Sequence, residues 1–180
     1  MNDKSSLLIE FSFFADAMLD PVDFLSLQAI RKSLHDLPGS NFFHSWYFNS
    51  DPRGFAGVYC DGDKNFIYGE IPASLGEVGR LRTLDLSYNQ LTGTISPSIG
   101  TLPELSNLIL CHNHLTGSIP PFLSQSLTRI DLKRNSLTGS ISPMSLPPSL
   151  RYLSLAWNQL TEPVDRVLLR LNQVNYLSFV

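Results

Sequence analysis

Apolar residues recur along the second part of the chain in one frame, Leu-x-Leu-x-x-Asn-x-Leu. Leu84, Leu86, Asn89 and Leu91 fill it first, then Leu108, Leu110, Asn113 and Leu115. Two further copies run through Ile130, Leu132, Asn135 and Leu137, and through Leu153, Leu155, Asn158 and Leu160. The asparagines step by 24, 22 and 23 residues. Behind three of them stands Leu-Thr-Gly, at 91–93, 115–117 and 137–139, with an isoleucine two residues on, at 95, 119 and 141. Asn65 to Pro72 keeps the same pattern one step of 24 earlier. Alternation of the two leucines predicts a short strand in each copy, its leucines inward and its intervening residues outward. A unit this short cannot bury its own apolar side, so the copies must stack.

After each strand the chain has to turn sharply. An inward asparagine at that turn can satisfy backbone groups of neighbouring coils with its amide, and each such group costs ~1–3 kcal/mol if buried unpaired. Asn65, Asn89, Asn113, Asn135 and Asn158 are therefore read as a structural ladder. The glycine of Leu-Thr-Gly permits a tight path, and Ile-Pro or Ile-Ser-Pro sets the return side of the coil. Period and signature together indicate leucine-rich repeats, about five over residues 65–180 with the last incomplete. The fold class expected is an α/β repeat, a short right-handed leucine-rich repeat solenoid with a concave parallel sheet and an N-terminal helical cap.

The cap is read in residues 20–64. Asp20 is placed to cap a helix, Pro21 suits its first position, and Phe24, Leu27, Ile30, Leu34 and Leu37 form an amphipathic stripe. Pro38-Gly39 ends that helix. The aromatic-rich stretch that follows, Asn41 to Asp63 with Phe42, Phe43, Trp46, Tyr47, Phe48 and Phe55, reads as a lid over the first coil. Residues 1–19 read as a leader-like or disordered segment. Leu7 to Ile9 and Phe11 to Ala15 are apolar and Ala15-Asp16-Ala17 has a small-x-small pattern, but Glu10 and Asp16 interrupt the apolar run.

Composition sharpens this division. Of 30 leucines, residues 1–68 hold 7 and residues 69–180 hold 23, so two differently built segments follow one another. At 180 residues the chain can bury a core without disulfides, and its two cysteines, Cys60 and Cys111, are too few for a stapled scaffold. A net charge of −3 argues against nucleic-acid binding by phosphate neutralisation. No uncharged apolar run reaches the ~18–20 residues of a membrane span. Asn-x-Ser/Thr does not occur, which weighs slightly against an extracellular setting.

Three features invite chemistry. His112-Asn113-His114 suggests a metal, but Asn113 belongs to the ladder and further ligands are missing, so no metal and no cofactor is expected. Cys111 beside His112 lacks an orienting acid or oxyanion hole and is expected as an exposed thiol on a strand. The concave face is the better candidate. Just before each ladder asparagine stand Tyr88, His112, Arg134 and Trp157, preceded by the column Ser87, Cys111, Lys133 and Ala156. Between the leucines lie Asp85, Ile109, Asp131 and Ser154. Strands ~4.8 Å apart put Tyr88 and Trp157 ~14 Å from each other. Asp85, Tyr88, His112, Asp131, Lys133, Arg134 and Trp157 are the ligand-binding candidates, Tyr, Trp and Arg being the types that carry interface energy.

Leu-Thr-Gly-x-Ile-Pro in a frame of 24 resembles the plant-type leucine-rich repeat. Asp23 to Leu37, Trp46 and Phe55-Ala56-Gly57-Val58-Tyr59-Cys60 resemble the N-terminal cap of that family. The family includes extracellular parts of receptor-like kinases, receptor-like proteins and polygalacturonase inhibitors. The resemblance implies non-enzymatic recognition of a protein, peptide or cell-wall ligand, or of a co-receptor, in signalling or defence. It implies a place in the apoplast or at the outer face of the plasma membrane.

Departures from the family are also visible. Arg53 stands where the first cysteine of the cap's pair belongs, which leaves Cys60 without its implied partner. Cys60 and Gly62 occupy the strand positions of the Asn65 repeat, so repeats look deleted at that join. Leu171, Val174, Leu177 and Phe179 open a repeat whose asparagine would fall past the last residue, and an uncapped end of this kind is expected to self-associate or fray. The second reading is therefore a truncated product without independent activity. An enzyme is a distant third.

Overall fold

The computed structural model describes residues 8–11, 34–36, 67–161 and 176–178. Cys60, Asn65, most of the expected cap and its aromatic lid, and Leu171, Val174 and Phe179 lie outside the described residues.

The strands expected from Leu-x-Leu form one parallel run. β4 (Leu81–Asp85), β6 (Asn107–Ile109), β7 (Arg129–Asp131), β9 (Tyr152–Ser154) and β11 (Tyr176–Ser178) neighbour one another in chain order. Register follows the frame, with Leu84 opposite Leu108, Leu108 opposite Ile130, Ile130 opposite Leu153, and Leu153 opposite Leu177. Their inward leucines stack into the core. Leu84, Leu108, Ile130 and Leu153 are fully buried, as are Leu86, Leu110, Leu132 and Leu155 one step along.

A second set of short strands follows the asparagine turns. β3 (Ile67–Glu70) pairs in parallel with β5 (Gln90–Thr92), and β8 (Thr138–Gly139) with β10 (Gln159–Leu160). Here the glycines of Leu-Thr-Gly take left-handed backbone, φ 76 at Gly93 and Gly117. A Cβ at Gly93 would meet the Glu70 side chain at 2.9 Å, and one at Gly117 would meet Thr94 at 2.9 Å. Glycine thus lets successive coils approach on this side. The return side carries short 3-10 turns, Ala73–Glu77, Pro97–Thr101 and Pro143–Ser145, the last two entered through Ser96 and Ser142, whose hydroxyls accept from the N–H groups of Ser98 and Met144.

Two elements correct the reading of the N-terminal part. Leu34–Asp36, placed above in the last turns of the cap helix, is a strand, β2, antiparallel to β3. Pairing across to Ile67–Glu70 gives these residues backbone partners that the helical period did not anticipate. Leu8–Phe11, placed above in a leader-like or disordered stretch, is also a strand, β1, antiparallel to β4 at the edge of the main sheet.

Candidate ligand-binding face

Each described ladder asparagine accepts a backbone N–H from the coil before and donates to the carbonyl three residues before its own position. Asn113 accepts the Leu91 N–H at 3.0 Å and donates to the Leu86 and Leu110 carbonyls at 2.9 and 3.1 Å. Asn135 accepts from Leu115 and donates to Leu110 and Leu132, and Asn158 accepts from Leu137 and donates to Leu132 and Leu155. Asn89 accepts from Ile67 and donates to Leu86 and Ser87. The first three each join their own coil to the one before, and Asn89 does the same through Ile67.

The ladder dictates the backbone of the residue in front. His112 and Asn113 both send their N–H groups to the following coil, to the carbonyls of Lys133 and Arg134, whereas His114 sends its N–H back to Leu91. Successive strand amides point in alternate directions, so two in a row toward one neighbour require a break in the strand. That break is a left-handed residue. Tyr88, His112, Arg134 and Trp157 have φ of 57, 57, 53 and 59. No other described non-glycine residue has positive φ.

These four side chains form a rim of planar groups. The Tyr88 and His112 rings stack with centroids 4.1 Å apart at 21°. Arg134 lies over the Trp157 ring, 5.3 Å from its centroid. Trp157 is 66% exposed and Arg134 is exposed, while Tyr88 and His112 are half-buried. The rim is therefore two stacked pairs along one line.

The inner columns are more closed than expected. Ser87, Cys111 and Ala156 are buried, and only the long Lys133 side chain of that column stays half-exposed. Cys111 is thus not the exposed thiol anticipated on a strand. Small side chains between two taller columns are covered by their neighbours. Burial first, and then the charge of Asp131, pushes the Cys111 thiol up to about 11, with Lys133 opposing. A thiol held protonated is a poor nucleophile.

Asp131, expected on the ligand face, is also buried. Its carboxylate accepts the Tyr152 hydroxyl at 3.2 Å and the Lys133 N–H at 3.3 Å. Asp85 is half-buried and accepts from the N–H and hydroxyl of Ser87. Both carboxylates brace the strand ends. Reading three columns missed a fourth, one position earlier in the frame, made of Thr83, Asn107, Arg129 and Tyr152. Arg129 lies on the Tyr152 ring 4.3 Å from its centroid, and its Nε is buried without a partner. The residue before each first leucine was in the frame all along; only the choice of columns left it out.

Among the described residues, no group of three or more His, Cys, Asp or Glu side chains is placed to hold a metal ion. No described helix is long and apolar enough to cross a membrane.

Comparison with known proteins gives the family. A Leucine Rich Repeat model matches residues 80–102 and 104–125, and a second Leucine Rich repeat model matches 147–162. Among curated proteins none matches. The crystal structure of PEPR1–AtPEP1 is similar at 28% identity and a TM-score of 0.75 over 87% of this chain, which spans only 24% of that one. The BIR3–SERK2 complex from Arabidopsis thaliana is similar at 34% identity and a TM-score of 0.69, covering 86% of this chain and 92% of that one. The BIR2 ectodomain from Arabidopsis thaliana is similar at 29% identity and a TM-score of 0.66, covering 81% and 84%. The chain belongs to the leucine-rich repeat family, with the repeat type of plant ectodomains.

Proposed function

We propose that the chain is a non-enzymatic recognition module that binds a protein or peptide along the strip from Tyr88 to Trp157, outside the cell. The observation that carries this reading is the choice of residue at the four left-handed positions. Left-handed backbone costs an ordinary residue ~1–2 kcal/mol, and glycine or asparagine bears it far more cheaply. Yet these positions hold Tyr, His, Arg and Trp. Side chains kept against the preference of their backbone serve something other than folding. Tyr, Arg and Trp are also the types that dominate binding energy when buried by a partner.

The relatives agree with this reading. PEPR1–AtPEP1 and BIR3–SERK2 are complexes, and BIR2 is an ectodomain. For this chain a peptide ligand or a co-receptor on the outer side of the plasma membrane follows by analogy. Peptides selected from a displayed library on the intact chain supply the test. They should bind Trp157→Asn and Arg134→Asn at least tenfold more weakly, and His114→Ala within twofold. Binders indifferent to both rim substitutions would overturn the proposal.

A further inference from the structure

The coil that carries β7 differs from its neighbours in charge. Residues 126–148 hold three of the chain's 13 lysines and arginines, Arg129, Lys133 and Arg134, and one of its 16 acids, Asp131. The chain as a whole is acidic, at −3. Outward residues alternate along a strand, so Arg129, Asp131 and Lys133 stand in that order on the concave side, ~6.6 Å apart. Arg134 follows at the rim.

Both arginines of this coil are seated alike. Arg129 lies on the ring of Tyr152 and Arg134 on that of Trp157, so each guanidinium rests on an aromatic of the following coil. A guanidinium covered on one face still offers the N–H groups of its edge, a planar fork that fits the two oxygens of a carboxylate. Among the described residues, none of Arg129, Lys133 and Arg134 pairs with a carboxylate. Asp131, next but one to Arg129, accepts from the Tyr152 hydroxyl and the Lys133 N–H instead. Two donors are buried with no partner at all, Arg129 Nε and the hydroxyl of Ser154, a residue only 1% exposed. Ser154 stands opposite Asp131 and so diagonal to Arg129. Folded proteins rarely leave buried donors unanswered. Two of them beside three unpaired cations mark a place for an oxyanion.

We propose that the β7 coil is a carboxylate-reading site, and that the peptide bound by this face carries two acidic side chains. One is met by Arg129, where it supplies the acceptor that Arg129 Nε and Ser154 lack, and the other by Lys133 and Arg134. This peptide chemistry rests on the reading of the face as a recognition surface. Arg129 and Lys133 are four strand steps apart, ~13 Å at ~3.3 Å each, so in an extended ligand the two carboxylates stand about four residues apart. Asp131, between the two points, selects the kind of anion. A carboxylate brings one negative charge against it, whereas a phosphate brings about two at pH 7 and is repelled about twice as strongly. Because the net charge of the chain repels acidic peptides in general, preference for one comes from this local site.

The test offers the immobilised intact chain an equal mixture of three pools of C-terminally amidated dodecapeptides, built from uncharged residues except at two fixed positions. One pool has Glu at both positions, four residues apart. The second has Gln there, and the third has two adjacent Glu residues. Retained peptides are counted by mass spectrometry. The spaced-Glu pool should be enriched at least tenfold over the Gln pool and at least threefold over the adjacent-Glu pool. Arg129→Gln and Lys133→Gln should each remove most of that preference. Arg129→Lys, which keeps the charge but not the fork, should recover only part of it. Arg82→Gln, outside this coil and paired with Glu104, should leave it unchanged. Equal retention of Glu and Gln pools overturns the proposal, and equal retention of spaced and adjacent Glu overturns its two-point geometry. Peptides that show no preference for Glu yet lose binding in Trp157→Asn leave the recognition module standing and this inference refuted. Retention of no pool refutes both. The comparison of pools on the natural chain needs no variant, so it decides even if Arg129→Gln fails to fold.

Discussion

The asparagine ladder and the rim are separated by a single peptide bond, yet they obey opposite rules. Asn89, Asn113, Asn135 and Asn158 are the same residue four times, and each accepts a backbone N–H from the coil before and donates to the carbonyl three residues before its own position. Tyr88, His112, Arg134 and Trp157 share one backbone conformation and differ in everything else. The difference is physical. A buried amide has to match fixed donors and acceptors, so its identity is imposed. The residue in front supplies only a dihedral angle, so the fold leaves its side chain open. The fold concentrates strain at the positions where it leaves chemistry open.

Removing a ladder amide is the most damaging way to probe this contrast. Asn113→Ala strands the Leu91 N–H and takes donors from the Leu86 and Leu110 carbonyls inside the coil. At ~1–3 kcal/mol per buried orphan, partly relieved by rearrangement, the loss should reach about 3 kcal/mol in urea unfolding. His114→Ala, at an exposed side chain on the next residue of the same coil, should stay within ~0.5 kcal/mol. Equal shifts for the two variants would dissolve the distinction between ladder and surface.

Much of the ladder was legible in the sequence because repetition exposes it. Four copies of Leu-x-Leu-x-x-Asn-x-Leu fix register, core and turn at once, and Leu84, Leu108, Ile130 and Leu153 lie opposite one another as the spacing requires. Exposure on the face was less legible. Alternation assigned Cys111, Ala156 and Asp131 outward, which is correct for direction, but outward is not exposed when taller neighbours close over a small or braced side chain. The left-handed rim was hidden for another reason: Tyr, Arg and Trp are types that give no signal of positive φ. Leu34–Asp36 misled because the strand holds only one residue of the apolar stripe, Leu34, too little for a period to distinguish helix from a three-residue strand that gains a partner in β3.

Cys111 sharpens the contrast at intermediate cost, since it lies inside the face beside an exposed rim. Its native thiol keeps its proton up to about 11 against a usual 9.0. Between those values the unfolded chain ionises and the native one does not, so unfolding releases a proton and stability falls as pH rises. Below pH 9 the group contributes no pH dependence. Relative to Cys111→Ala, which matches Ala156 in the same column, the natural chain should lose about 2 kcal/mol from pH 9 to 11. Iodoacetamide at pH 8 should react with Cys111 at least tenfold more slowly in the native state than in urea. A native thiol that reacts as fast as the unfolded one would mean the column is open.

The smallest expected effect lies on the rim, and its sign is the informative part. Trp157 is 66% exposed, so little packing is lost on replacing it. Its left-handed backbone, φ 59, disfavours a bulky residue by ~1–2 kcal/mol, whereas asparagine tolerates it. Against this stands the contact with Arg134, worth ~0.5–1 kcal/mol at an exposed site. Trp157→Asn should therefore leave stability unchanged or raise it by up to about 1 kcal/mol. Trp157→Val, β-branched and ill suited to positive φ, should lower it. Urea midpoints for the two variants decide the matter. If asparagine destabilises as much as valine, the tryptophan is held by the fold, and the rim was never free to be chosen by a ligand.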